Sequence, residues 1–171
     1  MTEILLTEAL AELKTIPKRI ESKRDTIRTH MIRQDHLKDP LEKDGSSQAQ
    51  AVRTAFQSID DLTKRMIKLR TAINEKNLDV DLTIEGMTYS IAEWITWKRE
   101  IVPILAPIFR GTIQRLSELH TSPYGKDEGN YIINVNEEQL RKVAEKLDSV
   151  IGQLDGKLSV LNATTTIILE D

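Results

Sequence analysis

The sequence predicts a mostly all-α protein: two antiparallel long-helix hairpins with coiled-coil-like seams, and a small β-hairpin between the second and third helices. Three observations predict it. Two unbroken apolar seams alternate steps of three and four residues, one over 52–73 and one over 140–161. A polar linker with Pro40 and Gly45 separates the first two helical segments, and a Gly-, Pro- and Tyr-rich stretch separates the last two. Between these pairs the period drops to two, where Val80, Leu82 and Ile84 alternate with Asp81, Thr83 and Glu85.

Helix one is expected from Thr2 or Glu3 to about Leu37. Leu6, Leu10, Leu13, Pro17, Ile20, Arg24, Ile27 and Met31 follow coiled-coil spacing, and Pro17 is expected to kink or split the helix. The seam of helix two is Val52, Ala55, Ile59, Leu62, Met66, Leu69 and Ile73. Its short linker to helix one makes the pair an antiparallel hairpin. Glu85-Gly86 reads as the turn of the β-hairpin. Ser90 with Glu93 makes a capping box that opens helix three, which runs from Ile91 to about Leu119. That helix is apolar on more than one face and carries Pro103 and Pro107, so it is expected to bend or break near its middle. Asn136, with Gln139 in the reciprocal position, caps helix four. Its seam is Leu140, Ala144, Leu147, Ile151, Leu154, Leu158 and Leu161. Gly152 and Gly156 lie off the seam, where glycine costs about 1 kcal/mol against alanine, and suggest close approach by another backbone. Residues 164–171 form a β-prone tail. The 171 residues fit a single domain: hairpin 1–77, β-hairpin 78–90, hairpin 91–163 with its loop over 120–135, and the tail 164–171.

Composition narrows the chemistry. There are no cysteines, which excludes disulfides, thiolate nucleophiles and Cys-ligated metals. The N-terminus has no basic segment, and no apolar run approaches the roughly 20 residues that cross a bilayer. The expectation is a cytoplasmic protein with no membrane partner. Net charge is -3, but unevenly spread: 15 basic and 9 acidic side chains over 14–76, against 9 basic and 15 acidic over 77–171. The halves are complementary, which suits helix faces meeting within or between chains. The basic set Lys14, Lys18, Arg19, Lys23, Arg24, Arg28 and Arg33 winds around helix one and is interrupted by Glu21 and Asp25, with no aromatic interleaving; nucleic acid is not the expected partner.

No phosphate loop, dinucleotide fingerprint or nucleophile elbow is present. His30 and His36 are six apart on one helix and point in different directions. Asp79, Asp81 and Glu85 have the wrong spacing for a calcium loop. No catalytic residue, metal ligand or cofactor is therefore assigned. One constellation suggests a ligand: Trp94, Trp97, Arg99, Phe109, Arg110 and Arg115 lie along the interrupted helix three, where a helix end exposes N–H groups to an anion with a flat ring. Tyr124 and Tyr131 on the following loop are placed to close over it.

Several short pieces point to a family. These are Glu8-Ala9-Leu10 and Lys18-Arg19-Ile20, Ile73-Asn74, Gly86 followed by Ile91-Ala92, Leu154-Asp155, and Leu161-Asn162 with Thr164-Thr165. In this order, which covers most of the chain, they resemble the septicolysin-like proteins, small helical proteins of bacteria and their phages. Ala163, Pro103 and Pro107 depart from the family pattern. The resemblance implies a helical fold and a bacterial or phage source, hence a place in a bacterial host cytosol or in association with a virion, and it transfers no functional residue.

Two readings of function follow. The first is a non-enzymatic, self-associating structural or interaction module, because the greasy third helix exceeds what one partner hairpin covers. The alternative is a homo-oligomer that captures a small anionic, nucleotide-like molecule between subunits, as phage proteins that soak up host signalling nucleotides do.

Overall fold

The structure is a computed structural model that describes residues 2–42, 47–121 and 133–169. The chain is mostly helical and forms two compact units, residues 1–76 with 162–171 and residues 77–161. Its elements are β1 (Thr2–Leu5), α1 (Leu6–His30), α2 (Gln48–Asp79), β2 (Asp81–Ile84), β3 (Met87–Ser90), α3 (Ile91–Thr96), a π-helical turn (Trp97–Ile101), α4 (Val102–Thr121), α5 (Glu137–Thr164) and β4 (Thr166–Leu169).

In the first unit α1 and α2 are antiparallel. Arg65 of α2 makes a two-pronged ion pair with Glu12 of α1, both N···O distances 2.9 Å, and Gln48 at the start of α2 meets the His30 ring at the end of α1 at 3.2 Å. Leu6, Ala9 and Ile16 pack against Leu69 and Ile73. Asp39 closes the connection by accepting the backbone N–H groups of Leu41 (3.0 Å) and Gln48 (2.9 Å). Those two bonds favour the charged carboxylate and hold Asp39 below its ordinary pKa.

Expectations about helix one are corrected at both of its ends and at part of its buried row. Residues 2–5 are a strand, because β4 supplies an antiparallel partner (Thr2 opposite Leu169, Leu5 opposite Thr166) and satisfies their backbone groups. Ile167 and Leu169 of β4 enter the same core, so the β-prone tail completes the N-terminal unit. The helix ends at His30 rather than near Leu37, and it runs on through Pro17, so of the two effects expected of that proline the split does not occur. Pro17 is exposed, and the burial of Ile16 beside it offsets the one backbone bond that proline removes. The expected seam holds at Leu6, Leu10, Leu13 and Ile20, which lie in or against the core, but Ile16 takes the inner place expected of Pro17, and Pro17, Arg24 and Met31 face solvent.

In the second unit, β2 and β3 pair antiparallel from Asp81 opposite Ser90 to Ile84 opposite Met87. Glu85 and Gly86 both have positive φ, 51° and 78°, the signature of a two-residue type I′ turn whose twist matches the strands. Ile84, Trp94, Val150 and Leu154 form the core, with Leu82, Met87, Trp97 and Leu158 packed around it. Asn136 caps α5 by accepting the Gln139 N–H at 3.0 Å. All seven residues of the expected α5 seam are at least partly buried; Val150, outside that seam, is more buried than most of them. The glycine expectation fails within the chain: a Cβ at Gly152 or Gly156 would meet nothing within 4 Å.

Candidate functional site

The aromatic–arginine segment is positioned by the β-hairpin. Its turn returns the chain to Ser90, whose hydroxyl accepts the Glu93 N–H while the Glu93 carboxylate accepts the Ser90 N–H and hydroxyl, both at 2.8 Å. These bonds fix the start of α3 and hold the Glu93 carboxyl below its ordinary pKa. One turn on, Trp94 points into the core with 0% of its surface exposed. Its indole N–H donates to the Leu82 carbonyl at 2.8 Å. Tyr89 and Trp97 meet it edge-on, at centroid separations of 5.1 and 5.5 Å.

The interruption expected near the prolines takes a particular form. Pro103 lacks an N–H, and its ring clashes with the carbonyl four residues back. The turn just before it widens to the π register, with the Val102 N–H bonding the Trp97 carbonyl five residues earlier. The helix continues, and the N–H groups of Trp97 and Val102 remain bonded within it. The expected helix end with free N–H donors is therefore not formed at these positions. Pro107 lies inside the regular helix α4.

The constellation is spread along the helix. Trp94 is core. Trp97 is half-buried and lines an apolar depression of about 420 Å³ with Leu78, Tyr89 and Ile101. Arg99 is exposed and pairs with Glu100 at 2.7 Å. Phe109 is partly buried, and Arg110 pairs with Asp148 of α5 at 2.6 Å. Arg115 lines a second depression, about 560 Å³, with Ile108, Thr112, Leu119, Asn134 and Val135. It has no hydrogen-bond or ion-pair partner among the described residues. Tyr124 and Tyr131 lie outside the described residues.

One feature joins the two depressions. Ile101, Ile104, Ile108, Gly111 and Arg115 step by 3, 4, 3 and 4, so they form one stripe along α4. Ile104 is 60% and Ile108 56% exposed. Pro103 and Pro107 are exposed beside them, and Leu78 and Tyr89 extend the apolar surface at one end, Leu119, Ile133 and Val135 at the other. The sequence marked this helix as too greasy for one partner hairpin, but not which of its residues are left outside. Lys98 to Asp155 and Arg110 to Asp148 tie its other side to α5.

Among the described residues no three His, Asp or Glu side chains are grouped to hold a metal ion. Asp81 lies in β2, and the Glu85 carboxylate accepts from Gln153 at 2.6 Å. No helix among them is long and apolar enough to cross a membrane. No protein-family model matches the chain, nor does any curated protein or any solved structure. The septicolysin-like resemblance rests on the short pieces of sequence that carry it.

Proposed function

We propose that this protein is a non-enzymatic, self-associating helical module, and that copies meet through the apolar stripe of α4. The single observation that carries this reading is the exposure of Ile101, Ile104 and Ile108 in one row on a helix whose opposite side is already tied down. Isolated exposed apolar residues are ordinary, but a continuous row extended by Leu78, Tyr89 and Leu119 is the kind of patch that marks an interface. The test is Ile104→Glu combined with Ile108→Glu, examined by size-exclusion chromatography with light scattering. The variant is expected to elute as a monomer with unchanged helix content. An assembly of native size would overturn the choice of interface.

A second reading is favoured by Arg115 alone. Its guanidinium, unpaired among the described residues and beside the apolar lining of the depression, suits a small anion with a flat apolar part, of the nucleotide type. Titration of ATP and of cyclic dinucleotides into wild type and Arg115→Ala, followed by calorimetry, tests it. Binding by the wild type that Arg115→Ala abolishes supports this reading; binding that survives the substitution sinks it.

A further inference from the structure

From the charges that end the α4 stripe we infer the geometry of its occupant, which rests on the self-association reading: a second copy of the same helix, antiparallel, on a two-fold axis beside Ile108. The stripe has an acid at its N-terminal end, Glu100, and a base at its C-terminal end, Arg115. In a parallel pairing each charge faces its own kind. In the antiparallel pairing Glu100 of one copy lies across from Arg115 of the other, twice per dimer. Like charges opposed across an interface select against the parallel arrangement. Arg115 has no partner among the described residues. Among the described residues Glu100 is held only by its sequence neighbour Arg99, in a pair with both side chains more than half exposed. Arg115 is therefore available, and Glu100 can exchange an exposed local pair for one across the interface.

The apolar positions agree with the same register. With the axis beside Ile108, the Ile108 side chains of the two copies flank it, and Ile104 faces the Gly111–Thr112 step. Gly111 is the notch in the stripe: a Cβ built there meets nothing within 4 Å, so the chain's own packing does not require glycine. In this register Gly111 leaves room on the stripe for Ile104 of the second copy. The self-complementary arrangement closes as a dimer rather than propagating.

The experiment is sedimentation equilibrium on the full chain at low and moderate salt, for wild type, Glu100→Arg, Arg115→Glu, the doubly exchanged variant and Gly111→Leu. Each single reversal is expected to raise the dimer dissociation constant at least tenfold. The double exchange should return it to within about threefold of wild type, since the opposite charges again face each other. Gly111→Leu should weaken association at least tenfold while circular dichroism shows unchanged helix content. Single reversals without effect, or a double variant weaker than both singles, overturn the register. If that happens while Ile104→Glu with Ile108→Glu still yields monomers, self-association through α4 stands and only the geometry falls. A monomeric wild type removes both.

Discussion

Trp94 separates a structural role from a binding role, and the structure assigns it the former. Trp94→Ala removes a side chain with no exposed surface from a small core made with Ile84, Val150 and Leu154. Truncating a large buried aromatic costs about 3–5 kcal/mol. The lost indole bond to Leu82 adds about 1 kcal/mol, partly included in that figure because the range comes from whole-residue substitutions. A total near 4 kcal/mol is a large share of the stability of any domain. Trp94→Phe keeps a ring against Tyr89 and Trp97 but loses the bond and part of the volume, so about 2 kcal/mol is expected. Trp97→Phe, at a half-buried position, should cost less than either. Both tryptophans of the chain lie in this unit, so the remaining indole in each variant reports its unfolding by fluorescence during a urea titration. With a slope of about 1.5 kcal/mol/M, Trp94→Ala should move the midpoint down by roughly 2–3 M. A Trp94→Ala variant that unfolds at the wild-type midpoint would refute the assignment of this residue to the core.

Other outcomes follow from the same geometry. Ile167→Asp places a charge in the core shared by α1, α2 and β4 and should unfold the first unit, seen as loss of far-UV helix signal at 25 °C. Glu12→Gln breaks the two-pronged pair with Arg65; because both groups are about one-third exposed, the expected loss is about 0.5–1 kcal/mol by urea unfolding. Glu12, Glu93 and Asp39 all have folded-state pKa values below their ordinary ones, through the Arg65 hydrogen bond, the Ser90 hydrogen bonds, and the Gln48 and Leu41 N–H groups respectively. Their stabilisation is therefore full above the ordinary carboxylate range and is lost as pH falls through the folded values, so the urea midpoint should hold from pH 7 to about 5 and decline below it. The Glu12→Gln variant should decline less steeply. Gly86→Ala forces a Cβ into a left-handed turn and should cost about 1–2 kcal/mol, measured on the same fluorescence signal.

The seams of α2 and α5, the β-hairpin with its Glu85-Gly86 turn and the Ser90–Glu93 box were legible because each depends on neighbours a few residues apart. The β-prone tail was legible too, but its partner β1 was not: strand pairing joins Thr2 to Leu169, and no local pattern records a contact that distant. The seam of α1 slipped at Pro17 because steps of three and four allow either 16 or 17 as the next position, and only the packing of Ile16 decides between them. At the candidate site the residue types were visible but their employment was not. Asp148, which engages Arg110, is 38 positions away, and the Leu82 carbonyl that anchors Trp94 belongs to another element. Pro103 announced an interruption; that it becomes a π turn, with N–H groups still bonded, depends on the turn's freedom to widen.

The central claim is that copies of this chain associate through the exposed row on α4, and the most direct test is the mass of the wild-type protein in solution. Sedimentation velocity across roughly 1–100 µM, a range spanning typical weak to moderate dimer affinities, should show a species of twice the chain mass that dissociates on dilution. The Ile104→Glu, Ile108→Glu variant should remain at the single-chain mass throughout. A wild type that stays at the single-chain mass over the whole range would contradict the account.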